Sequence, residues 1–77
     1  MIVKVYSTPT CPWCLKVKDF LKKNHVNFEN IDVSRDARAA HVMVTKSGQM
    51  GVPVIEINGK IIIGFDEQKL KQLIKSK

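Results

Sequence analysis

Two cysteines, three prolines, four glycines, one tryptophan and one tyrosine are all this 77-residue chain holds of the residues that staple, break or anchor a small fold. Each shortage excludes something. Two cysteines only three positions apart close too short a loop to replace a core, so a disulfide-stapled secreted miniprotein is ruled out. The longest apolar run, Ile61-Ile62-Ile63, falls far short of the eighteen or so residues that span a membrane. Met1-Ile2-Val3-Lys4-Val5-Tyr6 offers no charged leader with an apolar stretch and cleavage site behind it, and reads as a strand. The expected location is therefore the cytoplasm, where paired cysteines are more often catalytic or metal-binding than structural. No block of five like charges occurs, although thirteen Lys and Arg oppose seven Asp and Glu for a net charge of +6. The few aromatics are not interleaved with the basic residues, so the charge speaks for solvated helix faces and steering rather than for nucleic acid.

A hydrophobic content of 44% is ordinary for a globular domain and argues against disorder. A chain this short buries only about 60% of its unfolded surface, so one domain over residues 1–77 is expected, with a core that has little to spare. Residues 2–6 form an apolar, β-branched strand, which Ser7-Thr8-Pro9-Thr10 breaks. From Pro12 to Asn24, Cys14, Val17, Phe20 and Leu21 recur at helical spacing, and Asn24 is the expected left-handed stop. A second strand spans Val26 to Val33, and its polar interruptions predict an edge position. Ser34 is the expected cap of a helix over 35–46 that turns Ala40, Met43 and Val44 inward, and Gly48 and Gly51 bracket its exit. Pro53 to Ile57, Asn58-Gly59 and Lys60 to Ile63 make a hairpin, because both central positions of a type I′ turn need positive φ. Gly64-Phe65-Asp66 opens a last helix to Lys75, with Asp66 as N-cap, Phe65 and Leu70 as a hydrophobic staple, and Leu73 and Ile74 continuing the buried stripe. The order β-α-β-α-β-β-α makes an α/β fold, a four-stranded mixed sheet with helices on both faces.

The chemistry gathers at Cys11-Pro12-Trp13-Cys14, where a strand hands over to a helix. Proline suits the first helical position, which places Cys11 at the N-cap, facing the amides of Trp13 and Cys14 and the positive end of the helix dipole. Such surroundings favour thiolate over thiol. Cys11 is then the nucleophile, and Cys14, one turn on and facing the core, resolves the mixed disulfide. A zinc site is the competing reading of the pair. Ten residues intervene between Cys14 and His25 and fifteen between His25 and His41, with no second cysteine pair, which is the wrong spacing for a finger. His25 reads instead as a solvated histidine at the end of the helix.

Cys11-Pro12-Trp13-Cys14 after a short strand, Val52-Pro53 before the hairpin and Gly64-Phe65-Asp66 at the last helix together resemble a glutaredoxin, across the whole chain. The resemblance implies a thioredoxin-like fold and a dithiol oxidoreductase with no bound cofactor or metal. Its substrates are protein disulfides or glutathione mixed disulfides, and enzymes such as ribonucleotide reductase or a peroxidase receive the electrons. It implies further that Pro53 is cis, that Val52 pairs with the substrate backbone, and that Gly64 and Asp66 help hold a glutathione carboxylate. Pro12, Trp13 and Phe65 complete the substrate-binding set. The departures are Thr8 where the family carries a basic residue, Gly51 for threonine, Ile63 for the first of two glycines, and Trp13 for tyrosine. Lys16 and Lys46 are the candidates to replace the missing cation. The source of electrons is left between glutathione and an NADPH- or NADH-dependent flavoprotein disulfide reductase. A monomer is expected, with no nucleic-acid or membrane partner. The alternative within the family is a carrier of metal or of a [2Fe–2S] cluster shared between subunits, and Pro12 speaks against it.

Overall fold

A computed structural model describes residues 2–75; Met1, Ser76 and Lys77 of the expected domain lie outside the described residues. Its elements follow the order β1 (Val3–Ser7), α1 (Pro12–Lys23), β2 (Glu29–Asp32), α2 (Ala37–Ser47), β3 (Val54–Ile57), β4 (Lys60–Ile63) and α3 (Glu67–Lys75). The sheet order is β2-β1-β3-β4, so β2 is an edge strand, as its polar content predicts. β1 runs parallel to β2 through the α1 crossover, and Tyr6 lies opposite Ile31. β3 enters antiparallel to β1, with Val5 opposite Ile55, and β4 folds back on it across the Asn58-Gly59 turn, where both residues have positive φ (50° and 86°).

Alternation along the strands sorts the apolar side chains into two layers. Val3, Val5, Ile55, Ile57 and Ile62 meet Val17, Phe20 and Leu21 of α1 and Leu70 of α3 on one face. Tyr6 and Val54 meet Met43 of α2 on the other, with Ile31, Ala39, Val42 and Ile61 packed around them. Each fully buried aliphatic side chain here contributes roughly 1.5–3 kcal/mol of transfer free energy.

Three expectations about boundaries are corrected. Asn24 ends α1 at φ −94° with its amide side chain donating to the Phe20 carbonyl; the left-handed residue is His25, at φ 57°. Val26 does not begin the second strand, because its N–H returns to the Leu21 carbonyl at 2.9 Å and closes the turn, so β2 starts only at Glu29. Ser34 does not cap α2. Its N–H and hydroxyl both donate to Asp32 Oδ1, and Asp36 takes the cap by accepting from Ala39 N–H at 3.0 Å. Along α2, Ala39 and Val42 pack toward the sheet beside Met43 and Val44, while Ala40 is half-buried without joining that cluster. The same Ser34 hydroxyl holds the Asp32 carboxyl below its ordinary range, with its N–H and Arg35 helping.

Candidate active site

Cys11 sits where β1 has ended and α1 has not begun, in extended backbone at φ −92° and ψ 111°. Pro12 follows as the first helical residue, where its missing N–H leaves no bond unmade. Of the two amides expected to face the Cys11 sulfur, that of Cys14 donates, at 3.2 Å. Cys11 is partly exposed, whereas Cys14 is fully buried, and both are free thiols. Burial pushes the Cys14 thiol from 9.0 up to about 11; the adjacent Cys11 sulfur adds to the rise, while the Thr8 backbone and Lys18 oppose it. One sulfur is thus accessible at the positive end of a helix, and its neighbour is held protonated one turn below.

Across from the cysteines the chain passes through a cis Val52-Pro53 peptide, as the resemblance implied. The Val52 carbonyl lies 3.9 Å from Cys11 Sγ, within reach of a thiol proton. Pro53 is buried, and its carbonyl accepts from Gly64 N–H at 2.8 Å, which ties this loop to the exit of β4. Gly64 holds φ 77°, a left-handed conformation that a side chain would disfavour, and so turns the chain into Phe65 and Asp66. Asp66 then caps α3 by accepting from Lys69 N–H at 3.2 Å.

The Val52-Pro53 loop and the Gly64–Asp66 turn line an open groove of about 580 Å³ that begins at Trp13, beside the cysteines but not lined by them. Trp13, Val52, Pro53, Gly64, Phe65 and Asp66 of the expected substrate-binding set all line it, while Pro12 stays outside, exposed on the first turn of the helix. Trp13 and Phe65 form a tilted pair with centroids 6.4 Å apart, and Phe65 stacks edge-on against Phe20 at 5.9 Å, so the wall is braced from the core. Lys16 lays its Nζ 4.3 Å from the Trp13 ring centroid, a cation–π contact beside the groove. Lys46 is elsewhere, bonded to Glu56 Oε1 at 2.7 Å on the α2 face, and that bond raises its pKa. Ile63, noted in sequence only as a departure, is 53% exposed and lines the groove. Glu67 and Gln68 also line it and were missed; their position just beyond Asp66 was the available signal.

A glutaredoxin family model matches residues 3–62. The chain belongs to the glutaredoxin family. Its Cys11–Cys14 pair fits the family's Cys-x-x-Cys site. This glutaredoxin is 45% identical over 73 residues to a glutaredoxin-like 8.6 kDa protein from the rubredoxin operon of Clostridium pasteurianum, covering 95% of the chain and 97% of that relative. It superposes on the glutaredoxin of Archaeoglobus fulgidus with a TM-score of 0.89 at 33% identity, covering 96% and 86% of the two chains. The NrdH-redoxin of Escherichia coli, a glutaredoxin-like protein described as having a thioredoxin-like activity profile, gives 0.86 at 25% identity with 95% of each chain covered. The fold is thioredoxin-like, and the chain is a glutaredoxin-like redox protein, consistent with thiol–disulfide exchange. No helix among the described residues is long and apolar enough to cross a membrane.

Proposed function

We propose that this protein reduces disulfides in proteins by a dithiol cycle, with Cys11 as the attacking sulfur and Cys14 as the resolving one. The observation that carries the reading is the asymmetry of the pair. The Cys11 sulfur is reachable and accepts the Cys14 amide, while the Cys14 thiol is buried and raised to about 11. In the first step Cys11 sulfur bonds to one substrate sulfur, the substrate S–S bond breaks, and the leaving sulfur takes up a proton. In the second, Cys14 loses its proton and attacks Cys11, which forms the Cys11–Cys14 disulfide and releases the second substrate thiol. The substrate gains two electrons and the protein loses them.

The order of attack follows from the same contacts. Part of what holds Cys14 protonated is the free Cys11 sulfur beside it, through a hydrogen bond and through charge. Once Cys11 is in a mixed disulfide that contribution lapses, and Cys14 becomes easier to ionise when its attack is due. Both sulfurs belong to one helical turn, so the second attack has a high effective molarity.

The groove favours an extended protein segment over glutathione. Thr8 supplies no charge for a carboxylate, and Ile63 places an apolar side chain on the wall. The likeness to NrdH-redoxin supports the same preference. Electrons then come from an NADPH- or NADH-dependent flavoprotein disulfide reductase. They pass to enzymes that finish turnover as a disulfide, such as ribonucleotide reductase or a peroxidase.

The test is direct. Cys11→Ser should abolish disulfide reduction, and Cys14→Ser should accumulate a mixed disulfide visible by mass spectrometry. Oxidised protein offered glutathione with its reductase should reopen slowly, and a thioredoxin-reductase-type flavoprotein with NADPH should reopen it quickly. Dithiol turnover surviving in Cys11→Ser would remove the assignment.

A further inference from the structure

Between α2 and Val52 the chain makes a short loop whose shape depends on one side chain. Gln49 folds back on its own backbone. Its Oε1 accepts Gly51 N–H at 2.6 Å, and its Nε2 donates to the Gly51 carbonyl at 2.9 Å. One carboxamide therefore satisfies both polar groups of one residue, as a neighbouring strand would do. The base of the loop is fixed as well: Ser47 Oγ lies 2.6 Å from the Met43 carbonyl and 2.9 Å from that of Gln49. A Cβ on Gly51 would stand 2.7 Å from Gln49 Oε1, so the carboxamide fills the space a side chain would need.

We propose that Gln49 is a positioning residue for disulfide exchange, holding the Val52 peptide in place beside Cys11. Val52 follows Gly51 directly, and its carbonyl lies 3.9 Å from Cys11 Sγ. On its far side the Pro53 carbonyl is tied to Gly64 N–H. The Val52 peptide is thus suspended between two anchors, the Gln49 carboxamide before it and Gly64 after it. An extended substrate that pairs with Val52 meets a backbone already ordered. Without the first anchor, binding must supply that order. The inference rests on the reading of Cys11 and Val52 as the substrate-facing pair.

The experiment is single-turnover oxidation of the reduced protein by a symmetrical disulfide of a short apolar peptide, followed by Trp13 fluorescence. It yields a half-saturating concentration and a limiting rate. Gln49→Ala should raise the half-saturating concentration about five- to tenfold. The limiting rate and the rate of Cys11 alkylation by iodoacetamide should both stay within about twofold. Gln49→Glu, which keeps the acceptor and loses the donor, should fall between. Gly51→Ala displaces the carboxamide and should reproduce Gln49→Ala, with the double variant no worse than either. Amide exchange at Gly51 should quicken in Gln49→Ala. An unchanged half-saturating concentration in a folded Gln49→Ala overturns the proposal. So does additivity in the double variant, or a loss confined to the limiting rate. Wild type that the peptide disulfide fails to oxidise refutes the exchange reading itself, and this inference with it.

Discussion

If Cys14 waits as a protonated thiol, its reactivity should be suppressed by an amount the structure allows to be worked out. An ordinary thiol with a value of 9.0 is about one-tenth thiolate at pH 8, whereas one at about 11 is about one-thousandth. Because thiolate is the reacting form, alkylation of Cys14 should run about 100-fold slower than that of an unfolded cysteine at the same pH. In Cys11→Ser the neighbouring sulfur no longer contributes, but burial, the largest cause, persists. Suppression of at least about tenfold should therefore survive the substitution. The assay is iodoacetamide labelling of reduced Cys11→Ser between pH 7 and 10, read by mass spectrometry, with the same variant in urea as reference. Wild type labelled in parallel should take its first adduct at Cys11. If native Cys11→Ser is labelled as fast as its unfolded form, with a midpoint near that of a free thiol, the argument fails. Cys14 would then be no better shielded than Cys11, and their division of roles would lose its physical basis.

The same raised value links stability to pH. Up to about pH 8 the Cys14 thiol is protonated in both folded and unfolded chains, so its contribution is constant; above that the unfolded chain ionises first. Reduced wild type should then lose about 2–3 kcal/mol relative to Cys14→Ala by pH 11, seen as a divergence of urea midpoints. Parallel midpoints would remove the linkage. Leu70, fully buried where α3 meets α1 and the sheet, should cost about 2–5 kcal/mol on replacement by alanine, measured by denaturant unfolding. A cost under about 1 kcal/mol would show that α3 is not part of the cooperative core. Ile63→Gly clears the groove wall and should raise the rate of reduction by glutathione several-fold while weakening oxidation by an apolar peptide disulfide. No change in either would mean the wall does not select.

What could be read in the chain without coordinates was what neighbouring residues settle between themselves. Asn58-Gly59 makes a tight turn wherever apolar runs flank it, and Cys11-Pro12 marks a helix start because proline tolerates so few other places. The two-layer core follows from alternation in β1, β3 and β4 against the period of α1. The chain is ambiguous where two residues can perform one task. Ser34 and Asp36 both suit an N-cap, and the contest is decided by Asp32, which occupies both donors of Ser34. Asn24 and His25 both lie at the end of α1. Once the Asn24 side chain bonds the Phe20 carbonyl, the left-handed step falls to His25.

The site divides along the same line. Its cysteines are legible because they sit at a strand-to-helix boundary, where residue type and backbone geometry constrain each other; Val52, Pro53, Gly64, Phe65 and Asp66 are reached only through the resemblance to glutaredoxins, and Ile63, Glu67 and Gln68 by neither route. The Gln49–Gly51 clamp is not legible, because a side-chain amide reaching two residues along its own loop leaves no periodicity and no propensity behind. Nothing in Gln49-Met50-Gly51 as letters distinguishes a bracing carboxamide from a solvated one. Yet Gly51, noted from sequence as a departure from the family pattern, has no positive φ, and a Cβ there would meet that carboxamide at 2.7 Å. A missing side chain at one position can thus mark the presence of another residue's side chain. In this fold that exchange falls directly before the peptide that faces Cys11, where a loss of order would be felt first in substrate binding.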